Sequence, residues 1–323
     1  MGQSFVSVAL CTYNGCRYLP EQLQSIAQQT RLPDELIIAD DRSTDDTLKI
    51  IDAFKRSAGF PVHITINPKN LGVTKNFEQA ISLCSGEVIV LSDQDDCWHP
   101  EKLRHILAEF SRSPQVGLVF SNAELVDDSL RPLGYRLWER VGFHRDKQLR
   151  AIQGNLFRLL LKENYVTGAT MAFRSHFRRA ILPVPSNFVH DAWIALIISA
   201  MADVALIPDP LIKYRLHAGN QIGVNPLGFA GRWRRALKAD DHTFFTQAEN
   251  YRRVLERLAA MPDTPQIAPR INELQEKLNH LHQRAKMRQE PIARFMLAFK
   301  ELVQLRYHHY SSGWASFAKD VFL

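Results

Sequence analysis

The stretch that decides the fold is residues 35–57, which read ELIIADDRSTDDTLKIIDAFKRS. A short apolar run, Glu35–Asp40, is followed within a few residues by a segment of helical period, Thr44–Ser57. An apolar strand that leads directly into an amphipathic helix is typical of a parallel sheet covered on both faces. The stretch therefore predicts an α/β protein.

The same unit recurs on either side of this stretch. Further strands are predicted at Val6–Cys11, Val62–Asn67, Val88–Ser92 and Val166–Phe173, and as a pair around Ala205–Ile207 and Leu211–Arg215. Further helices are predicted at Leu19–Gln29, Val73–Cys84, Ala151–Leu161 and Ala192–Met201, and from about Pro100. We expect a Rossmann-like, mostly parallel sheet with helices on both faces.

The pattern becomes helical toward the carboxyl terminus. The run Pro226-Leu227-Gly228 is a candidate boundary, because proline and glycine interrupt regular elements. Helical segments are predicted at 231–238, 243–260, 267–288 and 291–304, with breaks near Pro262 and at Pro291. We therefore expect an α/β domain over residues 1–228 and a helical extension over residues 229–323.

Composition and charge fit a cytoplasmic globular protein. Of the 323 residues, 46% are hydrophobic, which is enough for a large core. The net charge of +6 comes from residues 226–323, with 16 Lys and Arg against 10 Asp and Glu. By itself that excess suits nucleic acid, an anionic membrane surface or an ordinary solvated helical surface. Taken with the rest of the sequence, we expect no nucleic acid partner.

Targeting and redox features point to the same compartment. The four cysteines form no CxxC pair, which favours reduced thiols. The amino terminus lacks a basic segment followed by an apolar one, and no stretch approaches the roughly 18 apolar residues of a spanning helix. We expect a cytoplasmic protein.

Polar side chains follow each of the first four predicted strands, where open α/β sheets bind ligands. They are Thr12-Tyr13-Asn14, Asp40-Asp41, Asn67 to Gly72, and Asp93-Gln94-Asp95-Asp96. Three carboxylates within four residues repel one another, so a cation should compensate them, and oxygen ligands suit Mg²⁺ or Mn²⁺. The alternative is an acidic turn that caps the next helix.

The second acidic run, residues 40–47, has a partly structural explanation. Ser43 or Thr44 can cap the following helix, and Asp45-Asp46 suit its first turn. Asp41 remains as a surplus carboxylate that could accept hydrogen bonds from a base or a sugar.

Taken in order, these segments resemble glycosyltransferase family 2, which has the GT-A fold. The resemblance rests on SVALCTYN (7–14), IADDRSTDDT (38–47), NLG (70–72) and LSDQDDCWHP (91–100), and it covers about residues 4–222. It implies that Tyr13 packs on a nucleobase and that Asp41 hydrogen-bonds it. It implies that Asp93 and Asp95 form the DxD pair, with Asp95 on the metal. The expected donor-binding residues are Thr12, Tyr13, Asn14, Asp41, Asn70 and Asp93.

Two later segments extend the resemblance. Val189-His-Asp-Ala-Trp193 is similar to the family's acidic catalytic motif, usually Glu-Asp, and makes Asp191 the candidate general base. The alternative role for Asp191 is a helix N-cap. His217, in Tyr214-Arg-Leu-His-Ala-Gly-Asn220, is a candidate metal ligand or a structural histidine.

Three residues are expected to line the acceptor side of the site, namely Gly168, His190 and Trp193. Gly168 lies in Thr167-Gly-Ala-Thr170, which resembles the family's acceptor loop, and a glycine there permits close substrate approach.

The resemblance implies an inverting transfer of sugar from a UDP- or dTDP-sugar to a glycan or lipid-linked glycan, in bacterial surface polysaccharide synthesis. The Asp-Gln-Asp-Asp and Tyr-Arg-x-His forms are similar to rhamnosyltransferase-like members. One alternative is a sugar-phosphate nucleotidyltransferase, but Cys11–Arg17 carries only Gly15 where such enzymes have a glycine-rich loop. The other is a family-like domain that binds a nucleotide without turnover.

The helical extension has two candidate roles. The aromatic residues Phe229, Trp233, Phe244 and Phe245 lie near Arg232, Arg234, Arg235 and Lys238. This set could form an amphipathic surface on an anionic inner membrane, or the helices could cap the catalytic domain or form an oligomer interface. The sequence leaves open the sugar, the base, the acceptor, the oligomeric state and the choice between Mg²⁺ and Mn²⁺.

Overall fold

The computed structural model describes residues 4–217, 241–262 and 265–322. These residues fall into two compact units. The first contains the chain up to Gly154 and the segment that begins at Tyr165, and the second contains Asn155–Asn164 and the helices from Asp241 onward. The predicted boundary at Pro226–Gly228 and the predicted helix 231–238 lie outside the described residues.

A nine-stranded sheet forms the centre of the first unit, counted over the described residues. Its strands are β1 (Val6–Thr12), β2 (Glu35–Asp40), β3 (Val62–Ile66), β4 (Val88–Ser92), β5 (Cys97–Trp98), β6 (Val116–Val126), β7 (Pro132–Arg136), β8 (Met171–Arg174) and β9 (Asp203–Arg215). The order is β3-β2-β1-β4-β8-β6-β9-β5, and β7 pairs with β6.

Most of the strands run in one direction. β3, β2, β1 and β4 are parallel neighbours, β8 lies antiparallel between β4 and β6, and β9 is parallel to β6. The predicted mostly parallel α/β sheet is therefore present. The carboxyl ends of β1, β2 and β4 lie side by side at one edge, which places the polar residues after them together.

The helices of the first unit are α1 (Leu19–Ala27), α2 (Thr47–Ser57), α3 (Val73–Leu83), α4 (Lys102–Arg112), α5 (Leu137–Arg140), α6 (Arg145–Arg150), α8 (Arg178–Ile181) and α9 (His190–Met201). Those of the second are α7 (Leu156–Leu160), α10 (Asp241–Ala259), α11 (Ile267–Gln289), α12 (Pro291–Val303), α13 (Arg306–Tyr310) and α14 (Trp314–Phe322). No helix in these described stretches is both long and apolar enough to cross a bilayer.

The core of the first unit follows the apolar pattern. Every residue of β1 and β2 is buried, as expected for central parallel strands. α9 is apolar around most of its circumference and contacts both β6 and α3. Because it is buried on most sides, it lacks the polar face of an amphipathic surface helix.

Several local predictions were wrong. The predicted strand pair near residues 205–215 is the single strand β9, because it pairs with β6 along nearly its whole length. The strand predicted from Val166 begins only at Met171, since Gly168–Thr170 forms a 3₁₀ turn. The predicted helix Ala151–Leu161 breaks at Gly154, whose φ is +80°.

Helix capping also differs from prediction. α2 begins at Thr47 with Asp46 at the N-cap, so neither Ser43 nor Thr44 caps it. The Ser43 hydroxyl instead donates to Oδ2 of Asp40 at 2.6 Å.

The second unit combines an apolar helix contact with buried ion pairs. α10 and α11 pack through a cluster of buried residues, namely Phe244, Ala248, Leu278, Leu281 and Ala285. Arg284 of α11 donates from Nε and Nη2 to both carboxylate oxygens of Asp320 at 2.5 and 2.9 Å, and Asp320 also accepts from the Tyr307 hydroxyl. This bidentate pair ties α14 to α11.

Removing a central apolar side chain should destabilise the first unit. Leu10 is fully buried in β1 between Ile38 of β2 and Ser92 of β4. Leu10→Ala should lower the free energy of unfolding by about 2–5 kcal/mol, because it leaves a cavity in a close-packed layer. Urea unfolding measures the change. The matched control, Ile66→Ala at a half-exposed position of β3, should stay within about 0.5 kcal/mol of wild type.

The ion pair of the second unit gives a separate test. Asp320→Ala should cost about 3–5 kcal/mol, because it leaves the buried Arg284 guanidinium without its carboxylate. Glu256→Ala removes the exposed partner of Arg252 in the same unit and should cost less than about 1 kcal/mol. Equal unfolding curves for the two variants would contradict the structural role of the Arg284–Asp320 pair.

Candidate active site

Carboxylates crowd the loop that follows β4. Burial first, and then the negative charges of Asp95 and Asp191, raise the pKa of Asp93 to about 7. Burial and the same kind of repulsion from Asp95 and Asp93 raise the pKa of Asp96. The predicted repulsion is therefore present, and it extends to Asp191 from a distant part of the chain.

Two buried basic side chains, Arg215 and Lys102, support the acidic loop and the neighbouring 168–170 turn. Arg215, at the end of β9, donates from Nε to the Asp95 carbonyl at 2.8 Å and from its backbone N–H to Oδ1 of Asp96 at 3.1 Å. Lys102, buried at the start of α4, donates from Nζ to the carbonyl of Ala169 at 2.8 Å and feels the charges of Asp96 and Asp93. Burial lowers the pKa of Lys102 to about 7.

Neither Arg215 nor Lys102 was predicted from the sequence as a site residue. Arg215 lies two positions before His217 in a segment already singled out, and Lys102 follows the acidic run by six residues. Lysine at the first turn of a predicted helix gives no sign that it is fully buried, so only the fold identifies Lys102.

Asp95 and His217 meet at the centre of the loop. Oδ2 of Asp95 lies 2.9 Å from Nε2 of His217, and the His217 ring packs at 4.8 Å from the Tyr18 ring. Among the described residues no group of three His, Cys, Asp or Glu side chains forms a complete metal site. One carboxylate and one imidazole nevertheless fit Mg²⁺ or Mn²⁺, which usually take their remaining ligands from phosphate oxygens and water.

Asp191 faces the acidic loop from the first turn of α9. The N-cap of α9 is Val189, so the alternative of Asp191 as N-cap is wrong. Oδ2 of Asp191 accepts the backbone N–H of Gly168 at 3.2 Å, and Oδ1 lies 2.5 Å from the N–H of Ala192. The carboxylate is thus oriented by the 168–170 turn as well as by its own helix.

Gly168 is fixed by close packing. A Cβ atom there would lie 2.8 Å from Nε2 of His190 and 3.7 Å from Cβ of Asp191. Any other residue would push the His190 ring out of place, whereas the contact with Asp191 would be an ordinary one.

His190 is buried beside Asp191 and stacks on Phe77, with ring centroids 4.1 Å apart. Burial lowers the pKa of His190 to about 3, so the ring is neutral near pH 7. Neither ring nitrogen has a hydrogen-bond partner among the described residues.

Trp193 is the third residue predicted on the acceptor side. It is buried, and its indole N–H donates to the carbonyl of Ile181 at 2.7 Å, so it packs in the core behind the site.

The residues after β1 form a loop that is held by hydrogen bonds to two neighbouring loops. The Thr12 hydroxyl donates to Asp40 at 2.7 Å in the interior, which leaves Tyr13 as the exposed side chain. Gln94 accepts the Tyr13 N–H at 2.9 Å and donates to its carbonyl at 3.0 Å, so it links this loop to the acidic loop. The Asn14 side chain accepts the N–H of Thr44 at 2.8 Å.

Asp41 is buried and holds the loop after β3. Its Oδ1 accepts from Nδ2 of Asn67 at 2.9 Å and from the N–H of Leu71 at 2.7 Å, and its Oδ2 accepts the N–H of Gly72 at 2.8 Å. Nδ2 of Asn70 lies 3.5 Å from the Asp41 carbonyl. A carboxylate has about four lone-pair sites, so roughly one acceptor site of Asp41 remains for a ligand.

The structure therefore brings most of the predicted site residues to one edge. Asp41 and Asp93 both act on the Cys11 thiol at the end of β1, whose pKa burial and these two charges raise. Asp93 in turn lies close enough to Asp95 and Asp191 to interact with both charges, and Asp95 contacts His217.

Comparison with known proteins identifies the family of the chain. The family model described as "Glycosyl transferase family 2" matches residues 7–176. The dTDP-rhamnosyl transferase RfbG of Shigella flexneri is 29% identical over 242 residues, which cover 70% of this chain and 77% of that protein. An uncharacterized protein of Mycobacterium tuberculosis is 28% identical over 224 residues, or 66% of this chain and 59% of the relative, so the match spans less than two thirds of that protein.

A solved structure supports the fold. The mannosyltransferase PcManGT of Pyrobaculum calidifontis, in complex with GDP-Man and Mn²⁺, aligns with a TM-score of 0.55 at 17% identity, over 99% of this chain and 86% of that one. The predicted GT-A fold is confirmed. Because the family model matches more than half of the 323 residues, the chain belongs to glycosyl transferase family 2.

Proposed function

We propose that the protein is an inverting glycosyltransferase that moves a sugar from a nucleoside-diphosphate sugar to a hydroxyl of an acceptor. The observation that carries the proposal is the convergence of Asp93, Asp95 and Asp191 at the carboxyl edge of the sheet. Asp191 comes from a helix nearly a hundred residues away, so the crowding is a tertiary feature with an electrostatic cost. Such a cost is typical of a site that receives a cation and reacting groups.

On the donor side, Tyr13 provides an exposed ring that can stack on a base. The remaining acceptor site of Asp41 suits a base N–H, and Asn70 and Asn14 lie in the loops that frame it. The Thr12 hydroxyl is engaged by Asp40, so its contribution is to position the end of β1.

Asp95 and His217 would hold the divalent metal, Mg²⁺ or Mn²⁺, and Asp93 would lie beside the donor. When bound, the metal supplies positive charge to the diphosphate leaving group. Arg215 donates to the acidic loop, and Lys102 donates to the carbonyl of Ala169 in the 168–170 turn. Both segments of the site are therefore held before the donor arrives.

On the acceptor side, Asp191 takes the proton of the attacking hydroxyl. The new bond from the acceptor oxygen to the anomeric carbon forms as the bond to the diphosphate oxygen breaks, and the diphosphate leaves with that electron pair. Attack from the opposite face inverts the configuration. The neutral His190 ring packs next to Asp191, and the buried N–H of Gly168 orients the Asp191 carboxylate.

One relative supports a choice of donor to test first. The similarity to a dTDP-rhamnosyl transferase supports a dTDP-sugar as the first donor to test, with a UDP-sugar next. We propose a glycan or lipid-linked glycan of bacterial surface polysaccharide as acceptor, and a cytoplasmic enzyme that contacts the inner membrane through residues 229–323.

A donor screen tests the activity. Purified protein is incubated with dTDP-, UDP- and GDP-sugars in Mn²⁺ or Mg²⁺, and the released nucleotide is measured. Release of a nucleoside diphosphate supports the proposal. Consumption of a nucleoside triphosphate with pyrophosphate release would favour a nucleotidyltransferase, and binding without release would favour the non-catalytic domain.

Asp191→Asn should separate chemistry from donor binding. The amide keeps the size of the side chain but cannot take the acceptor proton, so transfer should fall by about 10²–10⁴-fold while donor affinity is retained. Transfer is measured by nucleoside diphosphate release with acceptor, and affinity by calorimetry. Asp209→Asn, at an exposed position of β9, is the matched control and should transfer at the wild-type rate. Full activity of Asp191→Asn would refute the base assignment.

Asp95→Ala should abolish the metal dependence of donor binding. In the wild type, a chelator should weaken binding of the nucleoside diphosphate, and added Mn²⁺ should restore it. Without the Asp95 carboxylate, affinity should stay at the chelated level, because the remaining ligand His217 is insufficient. An unchanged response of Asp95→Ala to Mn²⁺ would place the metal elsewhere.

A further inference from the structure

The last part of the second unit exposes an unusual amount of apolar surface. On α12, the side chains of Phe295, Met296, Phe299 and Val303 are 64%, 69%, 54% and 65% exposed. Phe295, Phe299 and Val303 follow a spacing of four residues, so they form one stripe along the helix. Large apolar side chains are normally exposed singly, and a contiguous stripe marks an interaction surface.

Two neighbouring segments add to this stripe. Leu305, just after α12, is 52% exposed, and Trp314 and Phe322 of α14 are 64% and 79% exposed. α14 packs against α12, so its exposed aromatic residues belong to the same part of the unit. We refer to Phe295, Met296, Phe299, Val303, Leu305, Trp314 and Phe322 together as the apolar face.

Within residues 291–322 the exposed charge is positive. Residues 291–322 contain only two carboxylates, Glu301 and Asp320, and both are buried. Glu301 contacts His280 and Arg306, and Asp320 is paired with Arg284. The exposed surface of this segment therefore carries no carboxylate, while Lys300 is exposed beside Phe299.

Acidic side chains of the second unit are exposed on other helices. Glu249 and Glu256 lie on α10, and Glu276 lies on α11, each more than a third exposed. Glu290, just before α12, is half exposed and lies 3.9 Å from Lys286, so its charge is partly offset. Within α12 and α14 themselves no carboxylate is exposed. This segregation favours a negatively charged partner for the apolar face.

We propose that the apolar face docks on an anionic lipid surface, with α12 and α14 lying in the interface. Phenylalanine, tryptophan and methionine without exposed carboxylates, next to lysine, match what interfacial helices use. A second copy of the chain is a poorer occupant, because α12 and α14 of that copy offer no exposed carboxylate to Lys300. The proposal refines the membrane contact of the proposed function, and it assigns that contact to residues other than those expected from sequence.

The sequence-based candidates contribute little of this face. Phe244 is buried between α10 and α11, and Phe245 is half exposed on α10. Phe229 and Trp233 lie outside the described residues.

Vesicle sedimentation of the full chain tests the proposal. Sucrose-loaded vesicles of phosphatidylcholine alone are compared with vesicles that also contain phosphatidylglycerol, without donor or acceptor. The wild type should sediment with the phosphatidylglycerol vesicles and much less with phosphatidylcholine alone. High salt should weaken the binding, because it screens the charge attraction.

Two variants separate the apolar and the charge contributions. Phe295→Ser combined with Phe299→Ser should weaken binding to the anionic vesicles at least about tenfold, since two rings no longer leave water. Lys300→Glu should reduce the preference for phosphatidylglycerol. Ile152→Ser, at an equally exposed apolar position of the first unit, is the matched control and should bind as wild type.

The proposal is overturned if the wild type stays in the supernatant with both vesicle types, or if the Ser variant sediments like the wild type. It is also overturned if the wild type is a dimer by light scattering and the Ser variant a monomer with unchanged vesicle binding, which would make the face an interface between copies. Because the assay requires no sugar transfer, these outcomes are independent of the donor screen. Unchanged circular dichroism of the variants confirms that they fold.

Discussion

The repulsion among carboxylates at the carboxyl edge of the sheet is the constraint on which the site depends. Asp93, Asp95 and Asp96 follow one strand, and Asp191 approaches them from α9. Like charges that lie close together in a buried site destabilise a folded protein unless cations compensate them. The buried side chains of Arg215 and Lys102 supply part of that compensation, and each also makes a hydrogen bond that fixes a loop of the site.

The same edge shows how a polar site is made rigid. Asp41 accepts three hydrogen bonds within the protein, and Gln94 joins two loops through the backbone of Tyr13. Buried polar groups that are nearly all satisfied hold their neighbours in one geometry. Two groups differ from this pattern, namely the exposed ring of Tyr13 and the ring nitrogens of His190, which have no hydrogen-bond partner in the part of the chain that the structure describes. Our proposal places the nucleobase on Tyr13 and the acceptor side near His190.

The second unit is stabilised differently. Its helices are joined by buried ion pairs such as Arg284–Asp320 in addition to an apolar cluster, and these pairs remove the carboxylates of residues 291–322 from the surface. Burying an ion pair contributes little net stability, but it fixes which helix faces meet. One consequence is that the outer surface of α12 and α14 is apolar and free of negative charge.

The sequence by itself determined the alternating strands and helices of residues 6–92, because each parallel strand is a short apolar run and each helix has an amphipathic period. It also identified the polar residues after β1, β2 and β4, since residues at strand ends share one edge of a parallel sheet. Less could be predicted after residue 100. β6 and β9 are long strands whose pairing is set by contacts between distant segments, and the turn at Gly168–Thr170 replaces the start of a predicted strand. Only the tertiary structure decided that Lys102 is buried, that Trp193 belongs to the core and that Asp191 lies beside Gly168 rather than capping α9. The burial of a side chain and the charges around it depend on residues that are far away in the sequence. A local sequence pattern therefore cannot predict them.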